Sequence, residues 1–317
     1  YDNQNPRMGM QMGIDYLRQA GRADLADKYY AQLKEYLDAS MDIDSNNRYL
    51  YKTHPQTRPA LRQTAEDLLR DIESRRFEFS QKTGYESYRM ALRAVLTGAQ
   101  AMRMLTPPAG DPVFAGIANS FNIRDLYMAD NIKWLRNFDG PDTKVVLWAH
   151  NGHVGKSKFI GQFVTMGVHL DEIYGDDYVI AGFSFYQGEL QARPNPDDFN
   201  NVDTMRPLQV FRATPAWPGS IGATFEATGI SDYYVDMRKA DPNSPAGKWF
   251  RENQLFRQGG GTYGEPENVD ELLAKGGEGL PKLIPLDTFD IMIFNRDTTR
   301  ARPLERTIQR FNMERNW

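Results

Sequence analysis

Apolar side chains recur every three or four positions through the first hundred residues, the signature of helices that bury one face. Leu25, Tyr29, Leu33 and Tyr36 are spaced four, four and three apart and form one stripe. Leu61, Ala65, Leu68 and Ile72 repeat it beneath a Glu- and Arg-rich outer face, and Tyr85, Tyr88, Leu92, Val95, Ala99 and Met102 continue it. Pro107 and Pro108 end that helix, because proline lacks the amide hydrogen and clashes with the preceding turn. Ser45 to Pro59 is polar and holds two prolines, so it is predicted as a loop. Together these stripes predict a helical layer or cap over about residues 8–107.

From about Asn122 the pattern alternates between helix and strand. Arg124 to Phe138 carries Leu126, Ile132 and Leu135 and is predicted as a helix. Lys144 to Ala149 (KVVLWA) is a short continuous apolar run, as expected of a strand buried on both faces. Phe159, Phe163, Met166, Leu170 and Ile173 predict a helix that ends at Tyr174-Gly175-Asp176-Asp177, and Tyr178 to Phe185 predicts a second strand. Strand, helix, strand in so short a span is a βαβ unit, so the two strands are expected to run parallel with a right-handed crossover. Further strands are predicted at Tyr233 to Met237 and Phe289 to Phe294, and Gln258 to Gly264 is a glycine-rich loop. The fold class that follows is α/β, a mixed and largely parallel sheet flanked by helices, with about residues 115–317 forming the α/β portion behind the helical layer.

Composition narrows the functions. With 38 basic and 42 acidic residues the chain carries a net charge of −4, which argues against a general nucleic-acid binder that collects phosphates. There is no cysteine, so a disulfide framework, a thiolate metal site and a cysteine nucleophile are excluded. No run of about 18 apolar residues offers a membrane span. A homo-oligomer is compatible with all of this.

Two of the four histidines lie together in WAHNGHVGK, directly after the predicted strand at Lys144 to Ala149. The carboxyl ends of parallel strands form the edge where α/β sheets bind ligands. A histidine there serves as a general base near neutral pH or donates a hydrogen bond to a developing oxyanion. Gly152 lets the chain turn tightly enough for His150 and His153 to reach one crevice. The alternative is a pair of structural imidazoles that tie the loop to backbone carbonyls.

Sharper motifs fail. Gly155-Lys156-Ser157 resembles the end of a phosphate-binding P-loop, but the glycine required five residues before Gly155 is His150. A zinc site lacks a HExxH helix and an identifiable third ligand, so no metal or other cofactor is expected. No G-x-S-x-G elbow exists, and Ser184 in GFSFYQG lacks the second glycine. Arg124 and Asp125 at a predicted helix start are candidates for substrate anchoring, the alternative being an Asp that complements the helix dipole beside a surface Arg. His54 reads as solvated surface and His169 as a packed or capping residue. Gly259-Gly260-Gly261 is a flexible loop or a lid with a glycine hinge.

Four stretches resemble the erythromycin esterase family. They are IRDLYMADNIKWL from Ile123, VVLWAHNGH from Val145, MGVHLDEIYGDDYVIAGFSF from Met166, and FDIMIFNRDTTRARPL from Phe289, in the family's order and spacing. The resemblance implies hydrolysis of a carboxylic ester of a small molecule, in the best-known members a macrolide lactone linked to antibiotic resistance. Water there is activated by histidine without a metal or covalent intermediate. It places His150 and His153 in the active site. Arg124, Asp125 and Asn151 are the substrate-binding candidates. Family members begin with a Gly-Glu-x-x-His-Gly-type segment, and the opening YDNQNPR resembles a point after roughly the first third of the domain, so residues 1–317 are expected to be its C-terminal part. The Gly-Glu-x-x-His-Gly-type segment supplies the family's principal catalytic histidine, so the competing expectation is a non-catalytic or structural member that lacks this N-terminal base, and a third is a metal-dependent hydrolase.

Overall fold

The computed structural model describes residues 5–41, 43–106, 117–140, 142–158, 163–195 and 209–301. Contacts divide the chain into two compact units, Tyr1–Trp148 with Gln162–Ile173, and Ala149–Gly161 with Tyr174–Trp317.

The first unit is helical: α1 (Arg7–Gln19), α2 (Ala23–Ala39), α3 (Ile43–Arg48), α4 (Arg58–Ser74), α5 (Arg76–Thr83), α6 (Tyr85–Leu105) and α7 (Ile117–Asp139). The predicted stripes are its core. Tyr29, Leu33 and Tyr36 of α2 are buried with Leu61, Ala65, Leu68 and Ile72 of α4 and with Tyr88, Val95, Ala99 and Met102 of α6. Tyr85, placed on the stripe by spacing, is half exposed at 50% because it opens α6. Helix α1, at the start of the predicted helical layer, adds Met10, Ile14 and Leu17, all fully buried.

Ser45 to Pro59 is not the open loop its polarity predicts. It continues α3 through a π-turn (Tyr49–Thr53) and a 3-10 turn (Pro55–Thr57) into α4. Both prolines sit in first turns, where no amide hydrogen is needed, so they start helices instead of breaking them. Buried Tyr49 and Leu50 pull the segment inward, and the Tyr36 hydroxyl donates to buried Asn46 at 2.6 Å. Helix α7 begins at Ile117, seven residues before the predicted start, and Arg93 of α6 ties to it through Asp130 at 2.9 Å.

The second unit is built on a mixed sheet. Its strands are β1 (Ala181–Pro194), β2 (Gln209–Ala213), β3 (Asp232–Asp236), β4 (Gln254–Leu255), β5 (Thr262–Tyr263), β6 (Lys282–Leu283) and β7 (Ile291–Thr298). The order is β2-β1-β7-β3, with β5 joining the end of β1, while β4 and β6 form a separate pair. β1 runs parallel to β7 (Ala181 beside Ile291) and to β5, while β2 and β3 are antiparallel to their neighbours. Short helices α8 (Asn151–Val154), α10 (Ile221–Glu226), α11 (Pro245–Trp249), α12 (Val269–Ala274) and α13 (Pro285–Thr288) cover the sheet and its connections, and α9 (Met166–Tyr174) leads back into it from the first unit. The mixed α/β class with flanking helices is therefore the fold observed.

Two predicted strands are corrected. Lys144 to Ala149 belongs to no strand: Val146 is 92% and Trp148 80% exposed. A continuous apolar run reports only that a segment is suited to burial between neighbours, and no described strand lies beside this one. The parallel partner of β1 is consequently β7, more than a hundred residues later, and not the βαβ neighbour that spacing implied. The second strand also begins three residues late, at Ala181, because Ile180 is spent on Asp290, whose carboxylate accepts its amide hydrogen at 2.8 Å. The predicted helix from Phe159 starts at Met166, and Phe159 itself lies outside the described residues.

Candidate functional site

His150 ends the extended Lys144-to-Ala149 segment and caps α8. Its φ of −61° and ψ of 145° are those of an N-cap, and its ring supplies the cap: the Gly152 amide donates to Nδ1 at 3.0 Å. The other nitrogen, Nε2, lies 2.8 Å from the Gly259 carbonyl oxygen. These partners fix the tautomer. An amide can only donate and a carbonyl can only accept, so Nδ1 carries the lone pair and Nε2 carries the proton.

Burial, the largest influence, holds the His150 imidazole below its usual value of 6.5; the Gly259 carbonyl opposes this and His153 adds to it. A protonated ring would also turn an Nδ1 hydrogen against the Gly152 amide, so the neutral form is the one this pocket accepts. The pH dependence follows from that sign. A depressed folded-state value means that the unfolded chain binds the extra proton first. The stability due to neutral His150 is therefore complete above about pH 6.5 and is lost as pH falls through the lower folded value. Urea unfolding at pH 7.5 and pH 5 is expected to show a larger acid loss in the wild type than in His150→Gln; equal losses would contradict the neutral, buried imidazole.

His153 follows on α8, half-buried, with its amide on the His150 carbonyl at 2.8 Å. Asn151, between them, uses its side chain as a surrogate strand residue. Its Nδ2 donates to the Phe183 carbonyl at 2.8 Å, and its Oδ1 accepts the Phe183 amide at 3.1 Å. The amide thus pairs with the β1 edge opposite β7 and anchors the histidine turn to the sheet.

Behind the turn, Gly155-Lys156-Ser157 serves structure. The Lys156 amide donates to the Thr288 carbonyl at 3.0 Å, the Ser157 and Thr288 hydroxyls pair at 2.8 Å, and the Lys156 ammonium lies 3.3 Å from the buried Asp290 carboxylate. Ser184, the serine without an elbow, is buried. A small cavity of about 30 Å³, enough for a water, lies beside Asn151, Gly152, Gln258 and Thr288.

The structure brings His150, Asn151 and His153 together, whereas Arg124 and Asp125 belong to the helical unit. There Asp125 is buried and accepts the Met166 amide at 2.8 Å, capping the start of α9, while Asn122 accepts the Val164 amide at 3.0 Å. Both Arg124 and Asp125 sit inside α7 and not at its start. His54 is not simply solvated: it stacks on Tyr49 at 4.4 Å and faces Glu35 at 3.1 Å. The partner that sequence reasoning missed is the glycine loop, whose carbonyl receives the His150 proton. No local signal announces that contact, since Gly259 stands more than a hundred residues after His150.

A match to erythromycin esterase extends over residues 1–298. The chain belongs to the erythromycin esterase family. Among curated relatives it is 27% identical over 129 residues to erythromycin esterase type II of Escherichia coli, covering 39% of this chain and 30% of that one. It is likewise 27% identical over 126 residues to a putative hydrolase of Bacillus subtilis, covering 37% and 26%. A crystal structure of a protein from Bacillus cereus shares the fold with a TM-score of 0.69 at 20% identity, over 92% of this chain and 63% of that one. An erythromycin esterase mutant in its open conformation matches at 0.63 and 16% identity, over 93% and 66%. The chain thus spans about a quarter to a third of these curated relatives in its matched segment, and under two thirds of the solved structures.

Proposed function

We propose that the His150–Val154 turn forms part of the active site of a carboxylic-ester hydrolase, in which water oriented by histidine attacks the ester carbonyl without a metal. The relatives named as esterase and hydrolase support the reaction class, and a macrolide lactone is its narrowest form. The observation that carries the assignment of roles is the neutral Nε2–H of His150, fixed by the Gly152 amide on the opposite nitrogen. A ring whose lone pair already accepts a hydrogen bond is a poor base, but a preset donor suits an oxyanion.

His150 therefore donates to the carbonyl oxygen as negative charge develops there, and His153 orients the water, whose proton passes to a general base as it attacks. Collapse of the tetrahedral intermediate expels the alkoxide, which receives that proton, leaving acid and alcohol. Asn151 acts by holding the turn on β1. Metal independence is supported by the same geometry, since a cation could bind His150 only by displacing its cap or its proton.

His150→Ala and His153→Ala are each expected to lower ester turnover at least tenfold while the far-ultraviolet circular dichroism stays native. An unchanged rate in either variant removes that residue from the reaction. A stoichiometric ion in protein purified without chelator would overturn the metal-free mechanism.

A further inference from the structure

The Gln258–Gly264 loop is closed at its base. Arg257 enters it 7% exposed and its guanidinium donates to three backbone carbonyls, Thr214 at 2.6 Å, Tyr186 at 3.1 Å and Pro215 at 3.1 Å. The rings of Phe185 and Trp217 flank it at 5.7 and 5.4 Å. On the far side of the loop, Glu265 meets the same guanidinium at 3.3 Å and accepts the Tyr263 hydroxyl at 2.6 Å. Between these ends, the Gly261 carbonyl accepts the Arg193 amide at 3.0 Å and the Gly259 carbonyl accepts from His150.

The three glycines are not required by this closed arrangement. None of them has a positive φ. A Cβ at Gly259 would lie 3.9 Å from Leu190, one at Gly260 3.6 Å from Nε2 of His150, and one at Gly261 would meet nothing within 4 Å. Side chains fit the closed strap, yet three successive glycines carry a conformational-entropy cost. Such freedom is an advantage only where the backbone must also take angles that other residues avoid.

We propose that Arg257 is a positioning residue for His150: its ion pair with Glu265 clasps the glycine strap so that the Gly259 carbonyl covers Nε2–H, and the strap hinges at Gly259–Gly261 to release that proton to a ligand. The inference rests on the hydrolase reading for the ligand's identity, an ester carbonyl, but its test needs no substrate. In the full chain labelled with ¹⁵N, the Nε2–H resonance is assigned by its loss in His150→Gln, and its exchange with water is measured. Glu265→Ala, which leaves the three carbonyl bonds of Arg257 in place, is expected to speed that exchange at least tenfold while amide protection along β1 and β7 stays unchanged. Arg257→Gln should do the same, with partial recovery in Arg257→Lys. Exchange at the wild-type rate in folded Glu265→Ala overturns the clasp, and so does equal acceleration of the β1 and β7 amides, which would mean general loosening. A chain without esterase activity that still shows the selective acceleration would refute the hydrolase reading and leave the clasp standing.

Discussion

Replacing Asp290 with alanine is expected to destabilise the protein by about 3–5 kcal/mol, the usual cost of breaking a buried ion pair by removing one partner. Asp290 is 8% exposed and its carboxylate has two duties. It faces the Lys156 ammonium at 3.3 Å, and it accepts the Ile180 amide at 2.8 Å. The main chain of the same residue joins the elements on either side, since its amide donates to the Ile180 carbonyl and its carbonyl accepts the Met237 amide. Alanine keeps those backbone bonds but removes the carboxylate from a largely buried ammonium and from a buried amide, and each lost contact costs free energy. Asp290→Asn separates the two losses, because its carbonyl still accepts from Ile180 while the charge is gone. Urea midpoints with unchanged m values are the measurement. A loss below 1 kcal/mol in Asp290→Ala would mean that Lys156 reaches water and that the histidine turn is not pinned from behind.

That pinning bears on function because Lys156 follows α8 directly. The His150 turn is fixed in front by Asn151 on β1 and behind by Lys156 on Asp290. His150 itself is oriented by Gly152 and Gly259. A site that orients a neutral imidazole needs such support on every side, since an ångström of play weakens a hydrogen bond to a developing charge.

How much of this the chain reveals by itself follows from the range of each interaction. The stripe Leu61, Ala65, Leu68, Ile72 is visible because helix periodicity is local, and all four side chains are buried as the spacing predicts. The histidine pair draws notice because it stands directly after an apolar run, and the structure places it on a turn that Asn151 ties to Phe183 of β1. The same run misled about the strand. Val145, Val146 and Trp148 look alike whether or not neighbouring strands are present, and here they are exposed. Pairing of Ala181 with Ile291 and of His150 with Gly259 joins positions more than a hundred residues apart, which no local pattern encodes. The prolines at 55 and 59 misled for another reason: the rule that proline breaks helices holds for their interiors, and both occupy first turns. Asn151 is a substrate-binding candidate by sequence, but its place between two histidines says nothing of the strand edge its amide completes.

The junction of β1 with the segment before β7 yields the second large effect. Gly182→Val is expected to cost about 1–3 kcal/mol through overpacking. A Cβ built at Gly182 would stand 2.6 Å from Cγ of Phe289 and 2.8 Å from both Cδ atoms, well inside contact distance. Phe289 is 1% exposed and lies 6.1 Å from the ring of Phe256, so it has little room to retreat. Valine suits a strand by propensity, and at an open position it would stabilise β1; here the clash decides the sign. The displacement also has a direction. Pushing Phe289 away moves Asp290, and shifting Gly182 moves Phe183, so the rear and front anchors of the histidine turn are disturbed together. Gly182→Val should therefore lower ester turnover as well as the urea midpoint, whereas Phe79→Leu in the helical unit, another fully buried aromatic site, should lower stability alone. Turnover that survives Gly182→Val at the wild-type rate, with the expected loss of stability, would show that the histidine turn keeps its geometry without the β1 and β7 junction.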